Sequence, residues 1–310
     1  MSQPTRLRIG TRGSLLARWQ ADWVAARLME QGIEIEMVPI ATQGDVQQVG
    51  PIENIGTLGV FTKELQRALL DRQIDLAVHS LKDLPTEPVP GLILASVPER
   101  EACGDALIAR EAASLDELPE GAIIGTGSLR RQAQLLSVRP DLQMRDIRGN
   151  VDTRLQKLKD GQYDAIILAE AGLRRLDLAH HITQVLPKSV ILPAIGQGAL
   201  GIETREDDTT TRTILASLDH PETHRAVIAE RALLFTLRGG CMAPVGAWGR
   251  IVEGQLLLSA VVLSYDGRKK LEASASSKPA EAAELGRQVA EQLLTAGAAE
   301  LIRQSRQSKS

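Results

Sequence analysis

The tripeptide Ile9-Gly10-Thr11 returns as Ile124-Gly125-Thr126. Each copy ends a short apolar run and is followed by a serine, Ser14 or Ser128, and then by a helix-forming stretch. A second pair of segments repeats in the same order. Leu65-Gln66 precedes Asp75-Leu76-Ala77-Val78, and Leu155-Gln156 precedes Asp164-Ala165-Ile166-Ile167. Both are helix-then-strand units of nearly equal spacing. Strands alternating with helices build mostly parallel sheets whose two faces are covered by helices. The repeat therefore predicts two similar doubly wound α/β lobes in one chain. Coincidence between two common strand–helix turns is the bland alternative, which the repeat alone does not dismiss.

A chain of 310 residues is long enough for two or three cores of ordinary size. We expect a first lobe from 1–99 with 200–217, a second from 100–199, and a small C-terminal α+β domain from 218–310. Glycines at Gly196-Gln197-Gly198 lie where the chain would cross back to the first lobe and could absorb a hinge rotation; a plain tight turn fits equally. Aromatic residues make up only 2% of the chain and the net charge is -3, which argues against nucleic-acid and anionic-membrane partners. No apolar run reaches membrane-spanning length, and the opening residues lead straight into a strand pattern without a secretory core. Two cysteines, Cys103 and Cys241, do not make a disulfide framework. A cytoplasmic monomer is expected, with no metal site, since His180-His181 lacks clustered co-ligands.

The remaining periodicities predict helices over 15–31, 62–70, 129–138, 222–237 and 280–303, with Ser14 and Ser128 as N-caps and Pro140 stopping the helix over 129–138. Strands are predicted over 6–9, 33–40 and 75–79. A three-stranded meander is predicted over 245–250, 255–264 and 268–275, turning at Tyr265-Asp266-Gly267. The strand ending at His79 runs into Ser80-Leu81-Lys82-Asp83-Leu84-Pro85, which sets polar side chains at the carboxyl edge of a sheet, where open α/β sheets bind ligands.

Two further features carry chemistry. The helix over 222–237 ends in Gly239-Gly240-Cys241-Met242-Ala243-Pro244. Two glycines suit a left-handed helix cap, and the proline stops the helix from resuming. A thiol on such a loop suits a nucleophile or a covalent anchor, although a lone cysteine is as readily a buried hydrophobe. Arginines meanwhile gather at strand ends and helix starts: Arg12, Arg130, Arg131, Arg148, Arg154 and Arg175. Helix N-termini attract anions, and guanidinium groups bind carboxylates bidentately. Singly each reads as a solvated surface residue; six around one expected cleft point to a polyanionic ligand. Asp83 is the one carboxylate among them, suited to stabilising a developing cation.

These motifs resemble the porphobilinogen deaminase family along nearly the whole chain. The resemblance rests on Ile9-Gly10-Thr11-Arg12 with Ser14, Phe61-Thr62-Lys63-Glu64-Leu65 and His79-Ser80-Leu81-Lys82-Asp83-Leu84-Pro85. It continues through Gly127-Ser128-Leu129-Arg130-Arg131, Ile147-Arg148-Gly149-Asn150-Val151-Asp152-Thr153-Arg154, Gly196-Gln197-Gly198-Ala199-Leu200 and Gly239-Gly240-Cys241. It implies two lobes like those of solute-binding proteins and a dipyrromethane cofactor held as a thioether on Cys241. It further implies catalysis by Asp83, with cofactor contacts from Lys82, Asp83, Ser128, Arg130, Arg131 and Arg154. Arg12, Ser80, Arg148, Arg154 and Arg175 would take the substrate, porphobilinogen. The implied reaction joins four porphobilinogen units with loss of ammonia and releases a linear tetrapyrrole. One departure stands out: Leu58 occupies a position where the family often has lysine. Two other classes share some of these features. A two-lobed anion sensor would need the arginines but neither Cys241 nor Asp83. A cysteine hydrolase would need a base, for which His224 is the sequence's one weak candidate.

Overall fold

The computed structural model describes residues 6–41, 62–239 and 243–307. The chain divides into two compact units, 1–100 with 199–224 and 101–198 with 225–310. The first unit holds a five-stranded sheet in the order β2-β1-β3-β10-β4. Its strands are β1 (Arg6–Thr11), β2 (Glu34–Pro39), β3 (Leu76–Ser80), β4 (Leu92–Ser96) and β10 (Leu200–Arg205). Its helices are α1 (Leu15–Met29), α2 (Lys63–Leu70) and α6 (Thr209–Leu215). β1 runs parallel to β2 and β3, and β10 lies antiparallel between β3 and β4.

The second unit holds two sheets. One has the order β7-β6-β8-β5-β9, built from β5 (Asp105–Ala109), β6 (Ile123–Gly125), β7 (Gln143–Arg145), β8 (Ala165–Ala169) and β9 (Gln184–Val185). Helices α3 (Leu129–Val138), α4 (Val151–Lys159) and α5 (Glu170–Arg175) accompany it. The other is the meander β11 (Val245–Val252), β12 (Gln255–Leu263) and β13 (Lys270–Ser277), packed with α7 (Pro221–Thr236), α8 (Ala282–Thr295) and α9 (Ala298–Gln307).

The predicted repeat is present down to its hydrogen bonds. β6 runs parallel to both β7 and β8, as β1 does to β2 and β3, and β5 is antiparallel to β8 as β10 is to β3. Ile9 pairs with Leu76 and Gly10 with Ala77; Ile124 pairs with Ala165 and Gly125 with Ile166. An aspartate opens each equivalent strand and accepts a backbone N–H from its neighbour: Asp75 from Arg8 at 2.9 Å, Asp164 from Ile123 at 2.8 Å. The central strands β3, β5, β8 and β10 are buried on both faces, as helix-covered sheets require. In β8, Ala165 and Ile167 enter one core while Ile166 and Leu168 enter another, because successive side chains point to opposite faces.

Three expectations need correction. The helix expected over 280–303 is two helices, α8 and α9, broken at Gly297 with φ +103. At the end of α7 the left-handed residue is Arg238, φ +50, rather than a glycine. Arg238 N–H donates to Phe235 O and Gly239 N–H to Leu234 O, the paired bonds of a Schellman cap. Gly239 serves the close approach instead: a Cβ there would lie 2.9 Å from Leu234 Cδ1. The third concerns Ser128, which, unlike Ser14, caps no helix N–H with its side chain.

Gly198 explains itself similarly. Its φ is +85, and a Cβ would stand 2.4 Å from Glu101 O. The next residue, Ala199, accepts the Leu81 N–H at 3.0 Å, and Gly201 leaves room for the Leu81 side chain. The stretch over 199–201 thus shapes the segment after β3.

In the first unit, buried Arg205 donates to Asp75 at 3.1 Å and Asp208 at 2.7 Å, and Arg8 donates to Asp75 through two side-chain nitrogens as well as its backbone N–H. Burial would raise the Asp75 carboxyl, but the Arg8 and Arg205 hydrogen bonds outweigh it and hold it below its ordinary value. Its stabilisation is therefore complete above the ordinary aspartate range and lost as pH falls toward the depressed native value. Replacing Asp75 with alanine should cost about 1.5–3 kcal/mol, the scale of hydrogen bonds to a charged group. Asp207→Ala, which breaks a pair with Arg72 exposed on both sides, should cost about 0–1 kcal/mol. Urea unfolding at neutral pH checks both; equal losses would contradict the ranking.

Candidate active site

In the first unit the segment after β3 makes one turn of 3₁₀ helix, Leu81–Asp83. Leu81 and Leu84 are buried and anchor it, so Lys82 is left half-buried and Asp83 exposed between them. Among the described residues Asp83 forms no ion pair or hydrogen bond, which leaves both carboxylate oxygens available. Ser80 is held from α1: Gln20 Nε2 donates to its Oγ at 2.7 Å, and the same Oγ lies 3.2 Å from Gln20 Oε1. Gln20 is 2% exposed and was not among the sequence candidates. Arg12 is half-buried in the turn between β1 and α1. Beneath the segment, His79 Nε2 lies 2.9 Å from Glu203 Oε2, and Gln66 Nε2 reaches both Glu203 oxygens.

The second unit gathers five of the six arginines. Arg130 and Arg131 open α3, and both are buried. Their successive positions would point about 100° apart on an ideal helix, which favours two separate carboxylate partners. Instead both side chains converge on Asp105, the first residue of β5. Arg130 donates to Asp105 Oδ2 at 2.7 Å and Oδ1 at 3.1 Å; Arg131 Nε donates to Oδ1 at 2.8 Å. Gln197 Nε2 adds a contact to Oδ1 at 3.1 Å and also reaches Cys103 O and Gly104 O. Burial would raise the Asp105 carboxyl, but the two guanidinium groups hold it far below the usual range.

This cluster carries more positive than negative charge. One carboxylate faces two guanidinium groups, and a third stands close by. Burial and the Arg131 guanidinium push Arg154 down to about 10, while its Nε donates to Gly149 O at 2.8 Å. Burial pushes Arg175 down to about 10 as well; its Nη2 donates to Gly198 O at 2.7 Å. Arg131 itself is lowered by burial and by Arg130, against the pull of Asp105. The buried Arg130 Nε has no hydrogen-bond partner among the described residues. Arg148 is half-buried in the turn before α4. Ser128, whose hydroxyl is not spent on a cap, stands two residues before Arg130.

A site of this composition accepts carboxylates. Guanidinium groups supply paired donors, the free hydroxyl a further one, and an incoming anion would relieve the mutual repulsion of Arg131 and Arg154. Two pyrrole rings bearing acid side chains match that donor set. Cys241, Leu58 and Phe61 lie outside the described residues. His224 bonds Asp219 at 2.7 Å at the start of α7, the opposite end of that helix from Arg238, so the weak hydrolase reading gains no base there.

Glu230, fully buried on α7, accepts the Gly196 N–H at 2.7 Å and the Gly249 N–H at 2.8 Å. It ties the helix preceding the cysteine loop to the Gly196 turn and to β11. Neither Glu230 nor Asp105 had a sequence signal beyond being acidic residues inside otherwise apolar runs.

Comparison with known structures gives distant likenesses. The methionine-binding protein MetQ is 14% identical, with 70% of this chain and 91% of that one covered and a TM-score of 0.46. A YaeC-family lipoprotein from Enterococcus faecalis is 12% identical over 69% and 90%, TM-score 0.41. The periplasmic VFT2 domain of BvgS from Bordetella pertussis is 15% identical over 68% and 85%, TM-score 0.41. Similarity this low carries no inference about ligands. Family comparison is specific. A family described as "Porphobilinogen deaminase, dipyromethane cofactor binding domain" matches residues 7–213, and "Porphobilinogen deaminase, C-terminal domain" matches residues 224–295. With almost the whole chain matched, the chain belongs to the porphobilinogen deaminase family.

Proposed function

We propose that this chain works as a hydroxymethylbilane synthase through the residues described above, with Cys241 as the covalent anchor and Asp83 as the catalytic carboxylate. Family membership makes it a transferase of porphyrin and heme biosynthesis with a dipyrromethane cofactor. The observation that carries the residue assignment is the surplus positive charge around Arg130, Arg131 and Arg154, set beside an uncapped Ser128.

When bound, the dipyrromethane supplies the pyrrole carbon onto which substrate is joined. Lys82, Ser128, Arg130, Arg131 and Arg154 hold its acid side chains. Arg12, Ser80, Arg148, Arg154 and Arg175 bind the acetate and propionate of porphobilinogen. Ser80 is oriented for this by Gln20. Asp83 stands where the substrate's aminomethyl C–N bond breaks. As ammonia leaves, positive charge grows on the pyrrole-methylene fragment, and a carboxylate with both oxygens available stabilises it. The new C–C bond forms at that methylene carbon, and a proton is lost from the attacked pyrrole position. Four such cycles precede release by water.

The three-domain division, with 218–310 as a separate C-terminal domain, is supported by the distinct core that α7, α8 and α9 build with the meander. A cytoplasmic monomer without nucleic-acid partner remains part of this reading. The net charge of -3 and the scarcity of aromatic residues support the absence of a nucleic-acid partner. No helix among the described residues is long and apolar enough to cross a membrane.

Intact mass under denaturing conditions tests the anchor. The wild-type protein should carry the mass of two pyrrole units and Cys241→Ser should lack it, since an alcohol is a far weaker nucleophile than a thiolate. Added mass on the serine variant would move the anchor elsewhere. Asp83→Asn should keep substrate binding while kcat falls by about 10²–10³, the typical cost of losing one electrostatic stabiliser. Asp83→Glu should retain more activity than the amide. An Asn variant with wild-type kcat at saturating porphobilinogen would remove Asp83 from the chemistry.

A further inference from the structure

Asp105 is used by none of the steps above, yet it is the most heavily engaged carboxylate of the second unit. It is 1% exposed and accepts hydrogen bonds from Arg130, Arg131 and Gln197. A buried carboxylate with two buried guanidinium groups has two possible roles. It could neutralise a structural ion cluster, indifferent to any ligand. Or it could hold the guanidinium groups in place for a ligand that shares them.

The geometry favours the second role. The cluster is not neutral: one carboxylate faces two guanidinium groups, and Arg131 still lowers Arg154. The contacts are also unevenly spent. Arg131 gives Nε and Nη2 to Asp105 and Nη1 to Ile167 O, which fixes its plane. Arg130 gives Nη1 to both Asp105 and Leu192 O, while its buried Nε has no partner among the described residues. The anchor is itself anchored. Gln197 turns its amide nitrogen toward three oxygens, and the turn that carries it is pinned by Glu230 through the Gly196 N–H. A rigid mount holding surplus positive charge is what pre-organised anion binding requires, because the ordering has been completed before the ligand arrives.

We infer that Asp105 is a positioning residue, an internal counter-carboxylate that fixes the Arg130–Arg131 pair and shares it with a carboxylate of the bound dipyrromethane. This rests on the reading that the wild-type protein carries the dipyrromethane. A ligand carboxylate and the Asp105 carboxylate then act on the same two cations, so their contributions to stability are not independent. When Asp105 loses its charge, the ligand becomes the only counter-ion the pair has.

Thermal unfolding of four proteins tests this: wild type, Asp105→Asn, Cys241→Ser and the double variant, with cofactor content read by intact mass. Asp105→Asn should still carry two pyrrole units. The melting temperature lost through Asp105→Asn should be larger in the Cys241→Ser background than in the loaded one by roughly 1–5 °C, the shift that coupling within one hydrogen-bonded network produces in a chain of this size. A double variant too unstable to purify beside a folded Asp105→Asn has the same sign and supports the inference. Equal losses in the two backgrounds would reduce Asp105 to structural glue and overturn it. So would a folded Asp105→Asn that emerges without pyrrole mass. Should Asp105→Asn yield no folded protein at all, Arg130→Gln carries the opposite sign. It removes the surplus charge, so its cost should be greater in the loaded background, or its cofactor lost; equal cost in both, with cofactor retained, overturns the inference. A wild-type protein with no pyrrole mass would instead defeat the functional reading on which the inference rests.

Discussion

Burying like charges together is unfavourable unless something opposite is supplied, and the second unit of this protein buries Arg130 and Arg131 around a single buried carboxylate, Asp105. Desolvation alone makes each ion costly, and proximity adds repulsion. Burial, with the neighbouring guanidinium, lowers both Arg131 and Arg154 from the ordinary arginine value. A protein can keep such an arrangement only if the rest of the fold holds it rigidly, or if a ligand completes it. Here the fold does the first: the Gly196 turn, Gln197 and Glu230 are buried polar parts with backbone partners, and they lock the mount from behind.

The same sheet design appears in both units, and in each a buried strand runs directly into a segment that carries charged residues. β3 and β8 are buried on both faces and end at Ser80 and Ala169. The copies differ in the segment after that strand. In the first unit a 3₁₀ turn anchored by Leu81 and Leu84 presents Lys82 and Asp83. In the second, α5 presents Arg175. One design therefore supplies a carboxylate in one place and cations in the other.

Much of this was legible in the sequence because local rules and tertiary structure agree there. The Ile-Gly-Thr repeat marks a strand end followed by a helix start, and the pairing of Ile9 and Ile124 with equivalent strands follows from it. Helix α3 begins and ends where its serine and proline place it. Asp105 was not legible. An aspartate before Ala106-Leu107-Ile108 reads as a turn residue, and its two arginine partners lie more than twenty positions away. Nor was the cap at Arg238, where the close packing of Gly239 on Leu234 claims the glycine and leaves the left-handed position to an arginine. The break at Gly297 was hidden because the apolar period continues across it from α8 into α9.

If surplus buried cation is what makes this a polyanion site, then charge and not shape should govern its occupation. The direct measurement is calorimetric titration of the Cys241→Ser protein with benzenehexacarboxylate at several salt concentrations, beside Arg154→Leu in the same background. Affinity should fall steeply as salt rises, and Arg154→Leu should weaken it by roughly tenfold or more, the effect of one charge-assisted contact. Binding indifferent to salt and to Arg154, or no binding at any ionic strength, would contradict the account.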